Sequence, residues 1–184
     1  MAPGPLPYPD PALADSRFGL RPWSEGDLEC VRLAGTDPDI PRGTTVPAEF
    51  TPAEGLAFIR RQLARVQDGE GVTQAVVDAS SGRAIGLMWV AMRPQSHVAG
   101  LGYWIVPGER GQGAATSAVR LLVPWALDAL DLRRLEAWVV PGNDASVRVL
   151  RNAGFEQEGR LRNFLNGPDG SSDVLVFSII ASKT

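Results

Sequence analysis

The densest signal in the chain is Gly102-Tyr103-Trp104-Ile105-Val106-Pro107-Gly108-Glu109-Arg110-Gly111-Gln112-Gly113-Ala114-Ala115. A strand-like segment stops at a proline. A glycine-rich turn follows and opens onto residues 113 to 130, where Val119, Leu122, Ala126 and Leu130 recur at helical spacing. A helix that begins this way carries first-turn N–H groups with no intrahelical partner and the positive end of its dipole, which together attract anions. Small residues at 111, 113, 114 and 115 let a phosphate approach the backbone, and Arg110 adds a full charge. A diphosphate suits such a turn. A Walker loop does not fit, because the turn lacks the Gly-Lys-Ser/Thr that follows the glycines there, and a dinucleotide Gly-x-Gly-x-x-Gly spacing fails as well.

Upstream of this turn, residues 1 to 16 hold five prolines and read as an extended tail on the surface or on a partner. Arg17 to Arg21 alternates like a short strand. Ser24 and Asp27 have the polar spacing of a helix start, and Gly35 ends that helix. Residues 36 to 51 have no period and read as one long loop, the kind that is usually functional or mobile. Thr51, Pro52 and Glu54 start a second helix with a buried face at Leu56, Ile59, Leu63 and Val66. Val72 to Asp78 and Ala84 to Val90 form a hairpin around Ala79-Ser80-Ser81-Gly82, and Val98 to Val106 is a third strand.

Downstream, Pro124 should remove a hydrogen bond from the helix over 113 to 130 and bend it. Leu135 to Val140 is a strand, Ala145 to Ala153 a helix, Phe155 to Leu161 a strand and Val174 to Ile180 a last strand. The order β-α-α-β-β-β-α-β-α-β-β predicts a single α/β domain over 17 to 184, with a mixed, mostly antiparallel sheet and helices on both faces.

Bulk properties narrow the function. Hydrophobic residues make up 44% and charged residues 21%, as in ordinary globular domains. The net charge of -3 gives no reason to expect a nucleic-acid partner. The one cysteine, Cys30, reads as a buried small hydrophobe, and with one histidine in the chain no Cys/His zinc site can form, so no metal is expected. The N-terminus has no signal-peptide pattern and no run is long enough to span a membrane, so a cytoplasmic address is expected.

A second dense segment lies thirty residues beyond Gly113: Asn143-Asp144-Ala145-Ser146 through Ala153-Gly154-Phe155. Asn143 is a good helix cap and Gly154 a good helix stop. Together the two segments resemble the GNAT acyltransferase superfamily: Arg110-x-x-Gly113-x-Ala115 is similar to its Q/R-x-x-G-x-G/A loop, and Asn143-x-x-Ser146…Gly154-Phe155 to its N-x-x-S…GF segment. Phe18-Gly19-Leu20-Arg21-Pro22-Trp23, Gly102-Tyr103-Trp104 and Phe164-Leu165-Asn166-Gly167 resemble the branch of ribosomal-protein N-terminal acetyltransferases, the RimJ/RimL-like proteins. The resemblance spans residues 17 to 180.

That resemblance implies an N-acetyltransferase that uses acetyl-CoA as co-substrate. The strand before the loop would splay from its neighbour, and Trp104 and Ile105 would offer backbone to the pantetheine arm and an oxyanion-type N–H to the thioester. Arg110, Gly111, Gln112, Gly113, Ala114, Ala115 and Thr116 would hold the pyrophosphate, and Asn143 the pantetheine. Many relatives place an acidic tyrosine where this chain has Leu150. Ser146 matches the serine of the N-terminal acetyltransferase branch and is the candidate donor to the thiolate, or else a support of the first helical turn. No base is inherited: Gly100 and Asn163 stand where relatives carry Glu. His97 reads as a surface residue, and Asp37 and Asp39 either reach an acceptor amine or serve as turn residues.

The acceptor would lie between residues 36 to 51 and the loop 163 to 172. It is a primary amine, either of a small molecule or of a protein N-terminus, with Asp37, Asp39 and Glu49 leaning toward a small polycation. The alternatives are an acyl-CoA-binding sensor with little chemistry and a partner-binding protein that uses the proline-rich tail. A homodimer is compatible with the sequence.

Overall fold

The computed structural model describes residues 4–167 and 170–181. Strand β1 is Phe18–Arg21, followed by a 3-10 turn, Glu25–Asp27, and helix α1, Leu28–Gly35. The predicted helix start at Ser24 is therefore a tight turn, because Asp27 folds back to accept from the Ser24 N–H and pairs with Arg21 at 2.7 Å. The loop expected over 36 to 51 contains a short helix, α2, Asp39–Gly43. Asp37 accepts from the N–H groups of Asp39 and Ile40, and buried Ile40 anchors the turn to the core. Helix α3, Pro52–Gln67, starts as predicted, with the Thr51 hydroxyl accepting from the Glu54 N–H.

Strands β2, Gly71–Asp78, β3, Ala84–Met92, and β4, Val98–Ile105, form an antiparallel meander. Helix α4, Ala114–Ala129, runs through Pro124, whose ring lies on the exposed side while Ala118, Val119, Leu122 and Ala126 are buried. Strand β5, Arg134–Val139, helix α5, Asp144–Asn152, and strands β6, Glu156–Gly167, and β7, Gly170–Ile180, complete the chain. The segments 163–167 and 170–172, expected as a loop, are paired strand instead. Two register shifts in β6, after Gln157 and after Leu161, break the two-residue alternation and hid that strand from the sequence.

One seven-stranded sheet results, in the order β1-β2-β3-β4-β5-β7-β6. All neighbours are antiparallel except β4 and β5, which run parallel. The expected mixed, mostly antiparallel sheet in a single domain is what the chain forms. Side chains alternate between its faces, so the register assigns each residue to a side. One face carries Thr73, which donates to the Gln62 carbonyl of α3, and Trp104, which packs on Trp23 and on Phe58 of α3. The opposite face carries Tyr103, whose hydroxyl meets Ser146 of α5, and it is the side that α4 covers.

The strand β1 lies at the sheet edge, and part of the tail dresses it. The Leu20 N–H donates to the Leu13 carbonyl, the Asp15 N–H to the Phe18 carbonyl, and Asp15 contacts the Ser117 hydroxyl of α4. Edge strands with free backbone invite pairing with other chains, and this cover removes part of that edge.

Candidate functional site

The sheet opens where β4 and β5 part. Their pairing covers only Val98–Gly100 against Arg134–Glu136, although β4 continues to Ile105 and β5 to Val139. Beyond Gly100, one edge of β4 lies along a V-shaped gap. At the closed end of the gap, Gly100 and Glu136 are register partners.

On the α4 side, the glycine turn borders the gap. Gly111 and Gly113 have φ of 77° and 89°, a left-handed backbone that favours glycine, and a Cβ at either would point into open space. No side chain caps α4, and its first internal bond is from the Ser117 N–H to the Gly113 carbonyl. The N–H groups of Ala114, Ala115 and Thr116 thus precede the first helical bond and face outward. Such a bare, uncapped turn fits a diphosphate, as the sequence suggests. Beside it lies a groove of about 610 Å³ between tail residues Asp15 to Phe18 and Gln112 to Leu121, with Arg17 and Arg120 on its walls.

Arg110, expected to add charge to the glycine turn, also has partners within the protein. Its Nε donates to the Ile105 carbonyl at 2.8 Å, and its Nη1 lies 2.7 Å from Asp37. The pair ties α2 to the glycine turn and leaves Asp37 engaged and buried, not poised toward an acceptor amine. Burial alone would raise the Asp37 pKa, but the N–H of Asp39 and the Arg110 guanidinium outweigh it and hold the carboxyl below its usual range. The Trp104 side chain is buried in the aromatic cluster and Ile105 in the core. Val98 and Val106 bond to the β3 side, so by alternation the Trp104 backbone points to β3 too, and the backbone of Ile105 faces the gap. Gln112 is exposed.

Across the gap, the Asn143 carboxamide oxygen accepts from the Ser146 N–H at 3.1 Å and caps α5. Ser146 Oγ lies 2.7 Å from the Tyr103 hydroxyl, which also reaches the Ser146 carbonyl at 3.3 Å. Burial pushes the Tyr103 phenol up to about 12, with Ser146 pulling the other way. Tyr103 is therefore a protonated donor at neutral pH. Sequence reading passed over it, because a tyrosine in an alternating strand reads as core; the only signal was its place beside Trp104. His97 lies just before β4 at φ 62°, not within the strand, with Nδ1 2.7 Å from the Asp131 carbonyl, away from the gap. Cys30 is buried, which raises its thiol pKa. Among the described residues no group of three or more His, Cys, Asp or Glu could hold a metal, and no helix is long and apolar enough to cross a membrane.

The other side of the gap carries residues that the sequence did not single out as a group. Arg93, at the end of β3, stacks its guanidinium 4.1 Å from the centre of the Trp138 ring, and Trp138 meets Phe164 edge-on at 4.8 Å. Arg93 Nε is 3.4 Å from Glu136, and Arg134 Nε donates to Glu136 at 3.2 Å. Arg134 also pairs with Glu158, which accepts from Ser178.

Comparison with known proteins converges on one family. Residues 17–156 match the Acetyltransferase (GNAT) domain. The uncharacterized N-acetyltransferase YoaA of Bacillus subtilis (strain 168) is 26% identical over 174 residues, 94% of this chain and 98% of that protein. Among solved structures, RimJ of Mycobacterium smegmatis in complex with CoA-disulfide superposes with a TM-score of 0.78 at 24% identity, covering 89% of this chain and 82% of that one. The microcin C7 self immunity acetyltransferase MccE, in complex with acetyl-CoA and AMP, superposes with a TM-score of 0.80 at 18% identity, covering 91% and 94%.

Proposed function

Since the chain belongs to the GNAT acetyltransferase family, we propose that it transfers an acetyl group from acetyl-CoA to a primary amine at the point where β4 and β5 part. The observation that carries this reading is the bare glycine turn opening onto α4 next to an unpaired strand edge. The co-substrate would supply an acyl carbon that accepts the amine and a thiolate that leaves. Its diphosphate would sit on the N–H groups at the start of α4, where the dipole and unpartnered donors favour negative charge. Arg17 and Arg120 would add positive charge along the groove.

The acceptor ammonium must shed one proton before its nitrogen bonds the acetyl carbon. A second N–H proton leaves as the C–S bond breaks and ends on the departing sulfur. The backbone N–H of Ile105 faces the gap and is the candidate donor to the carbonyl oxygen, whereas that of Trp104 points to β3. Ser146 is the proposed donor to the sulfur, with Tyr103 behind it. If the phenol proton points to the Ser146 hydroxyl oxygen, the Ser146 proton is free for another acceptor. Asn143 already accepts from the Ser146 N–H, so its amide N–H2 is the part left to reach a pantetheine carbonyl.

Isothermal titration with acetyl-CoA, followed by release of free thiol in the presence of an amine panel, tests the reading. Micromolar binding and amine-dependent thiol release are expected. Failure to bind acetyl-CoA, or binding that the glycine-turn substitutions leave unaltered, contradicts it.

A further inference from the structure

We propose that Arg93 and Glu136 form a clamp for a zwitterionic acceptor: an amino acid or similar small amine with a carboxylate beside the nitrogen. The inference rests on the acetyltransferase reading above and names its substrate class.

Four observations carry it. First, place: Gly100 and Glu136 are the last paired residues before the strands part, and Glu136 faces away from α4. The carboxylate therefore stands at the closed end of the gap, on the side opposite the glycine turn. Two residues along β4, Gly102 shares that face, and a Cβ there would meet nothing within 4 Å, so the surface beside Glu136 is open.

Second, Arg93 is held as a flat plate. A Cβ on Gly100 would come within 2.7 Å of Arg93 Nη2 and 3.0 Å of its Cζ, so the absence of a side chain at 100 makes room for the guanidinium. Trp138 supports the other side at 4.1 Å. A fork fixed in this way loses little freedom on binding a carboxylate, which it can meet with two parallel N–H bonds.

Third, the plate has unused donors. Arg93 Nε is buried 3.4 Å from Glu136 without a hydrogen bond, and no bond from its Nη atoms is formed among the described residues, which leaves the Nη pair to meet a carboxylate. The side chain is 27% exposed and Glu136 14%, so both are reachable yet shielded enough for charge to matter.

Fourth, the local charges balance: Arg93 and Arg134 against Glu136 and Glu158. A polycationic amine would meet two arginines here. A zwitterion adds no net charge, its ammonium toward Glu136 and its carboxylate toward Arg93. Asp37, one of the carboxylates that lean toward a polycation in the sequence, is committed to Arg110. Trp138 and Phe164, the latter 42% exposed, give an apolar wall for a side chain.

The test compares L-phenylalanine with phenethylamine, which lacks only the carboxylate, in wild type, Arg93→Met and Arg93→Lys. Wild type should favour phenylalanine in kcat/KM by at least about tenfold, a charged hydrogen bond's worth. Arg93→Met should erase the preference through KM, leaving phenethylamine turnover nearly intact, and Arg93→Lys should restore part of it. Gly100→Ala, which displaces the plate, should act like Arg93→Met. Direct binding of phenylalanine, read from tryptophan fluorescence without acetyl-CoA, should weaken in Arg93→Met, with folding checked by circular dichroism. Equal use of both amines by wild type, a preference unaltered by Arg93→Met, or phenylalanine binding insensitive to Arg93 overturns the clamp. Absence of acetyl-CoA binding would instead sink the acetyltransferase reading, while the fluorescence titration still decides the clamp.

Discussion

Tyr103 and Ser146 sit on different elements and share one hydrogen bond, so each sets the other's proton. Burial is the larger influence on the phenol and pushes it up to about 12. A tyrosine with a raised pKa favours folding below its ordinary value, and that contribution is lost as pH rises from about 10 through the folded value near 12. A pH titration of phenolate absorbance should thus show one tyrosine ionising well above the ordinary range. Ser146→Ala should move it higher still, because the hydroxyl stabilises the phenolate. In the proposed transfer the same pair would act as a donor at neutral pH. Ser146→Ala should lower kcat by roughly ten- to a hundredfold with little change in the KM for acetyl-CoA, and Tyr103→Phe by less, as expected for a group used only in the transition state. A KM effect alone, with kcat untouched, would leave Ser146 only a support of the first turn of α5.

At the scale of elements, the glycine turn and α4 were legible because their chemistry is local. Proline stops a strand, glycines permit a left-handed backbone at 111 and 113, and a small-residue start leaves a helix uncapped. No distant contact is needed to read them. The same holds for the Thr51 cap of α3 and the Asn143 cap of α5. What the sequence hid depends on register or on partners far along the chain. The β6 bulges concealed half of that strand. Arg110 was legible as a charge beside the turn, but nothing local announces that Asp37, far back in the approach to α2, pairs with it. Arg93, just past β3, Trp138 of β5 and Phe164 of β6 are far apart in the chain and meet only when the sheet is assembled. The turn itself gives a sharp expectation. Gly113→Ala forces a side chain into φ 89°, at a cost of about 1–2 kcal/mol, with no steric neighbour to clash. A modest fall in Tm should accompany a larger loss of acetyl-CoA affinity as the backbone relaxes away from the cradle. An unchanged affinity measured by calorimetry would place the diphosphate elsewhere.

The whole molecule hangs on the sheet, with α1 to α3 on one face and α4 and α5 on the other, and its acid resistance should come from a few well-placed carboxylates. Asp27 is the strongest case. Burial pushes its pKa up, but the Arg21 guanidinium and the Ser24 N–H overcome that and hold the net value below normal. Asp37 behaves likewise, and Glu158 is drawn down to about 2 by Arg134 and Ser178. A depressed carboxyl stabilises the fold above its unfolded value, near 4, and that stability is lost as pH falls through the folded value. Glu158 and its guanidinium partner are largely solvated, so screening leaves them a small share. Asp27, buried where β1 meets the first turn, should carry more. The urea midpoint should therefore stay level from about pH 7 to 5 and fall steadily between about 4 and 2. Asp27→Asn should cost on the order of 1–3 kcal/mol at neutral pH and flatten part of that acid slope, since Asn cannot lose the charge that protonation removes. If the variant keeps the wild-type slope, the charge of Asp27 is not what couples this fold to protons, and the acid sensitivity must come from the exposed carboxylates instead.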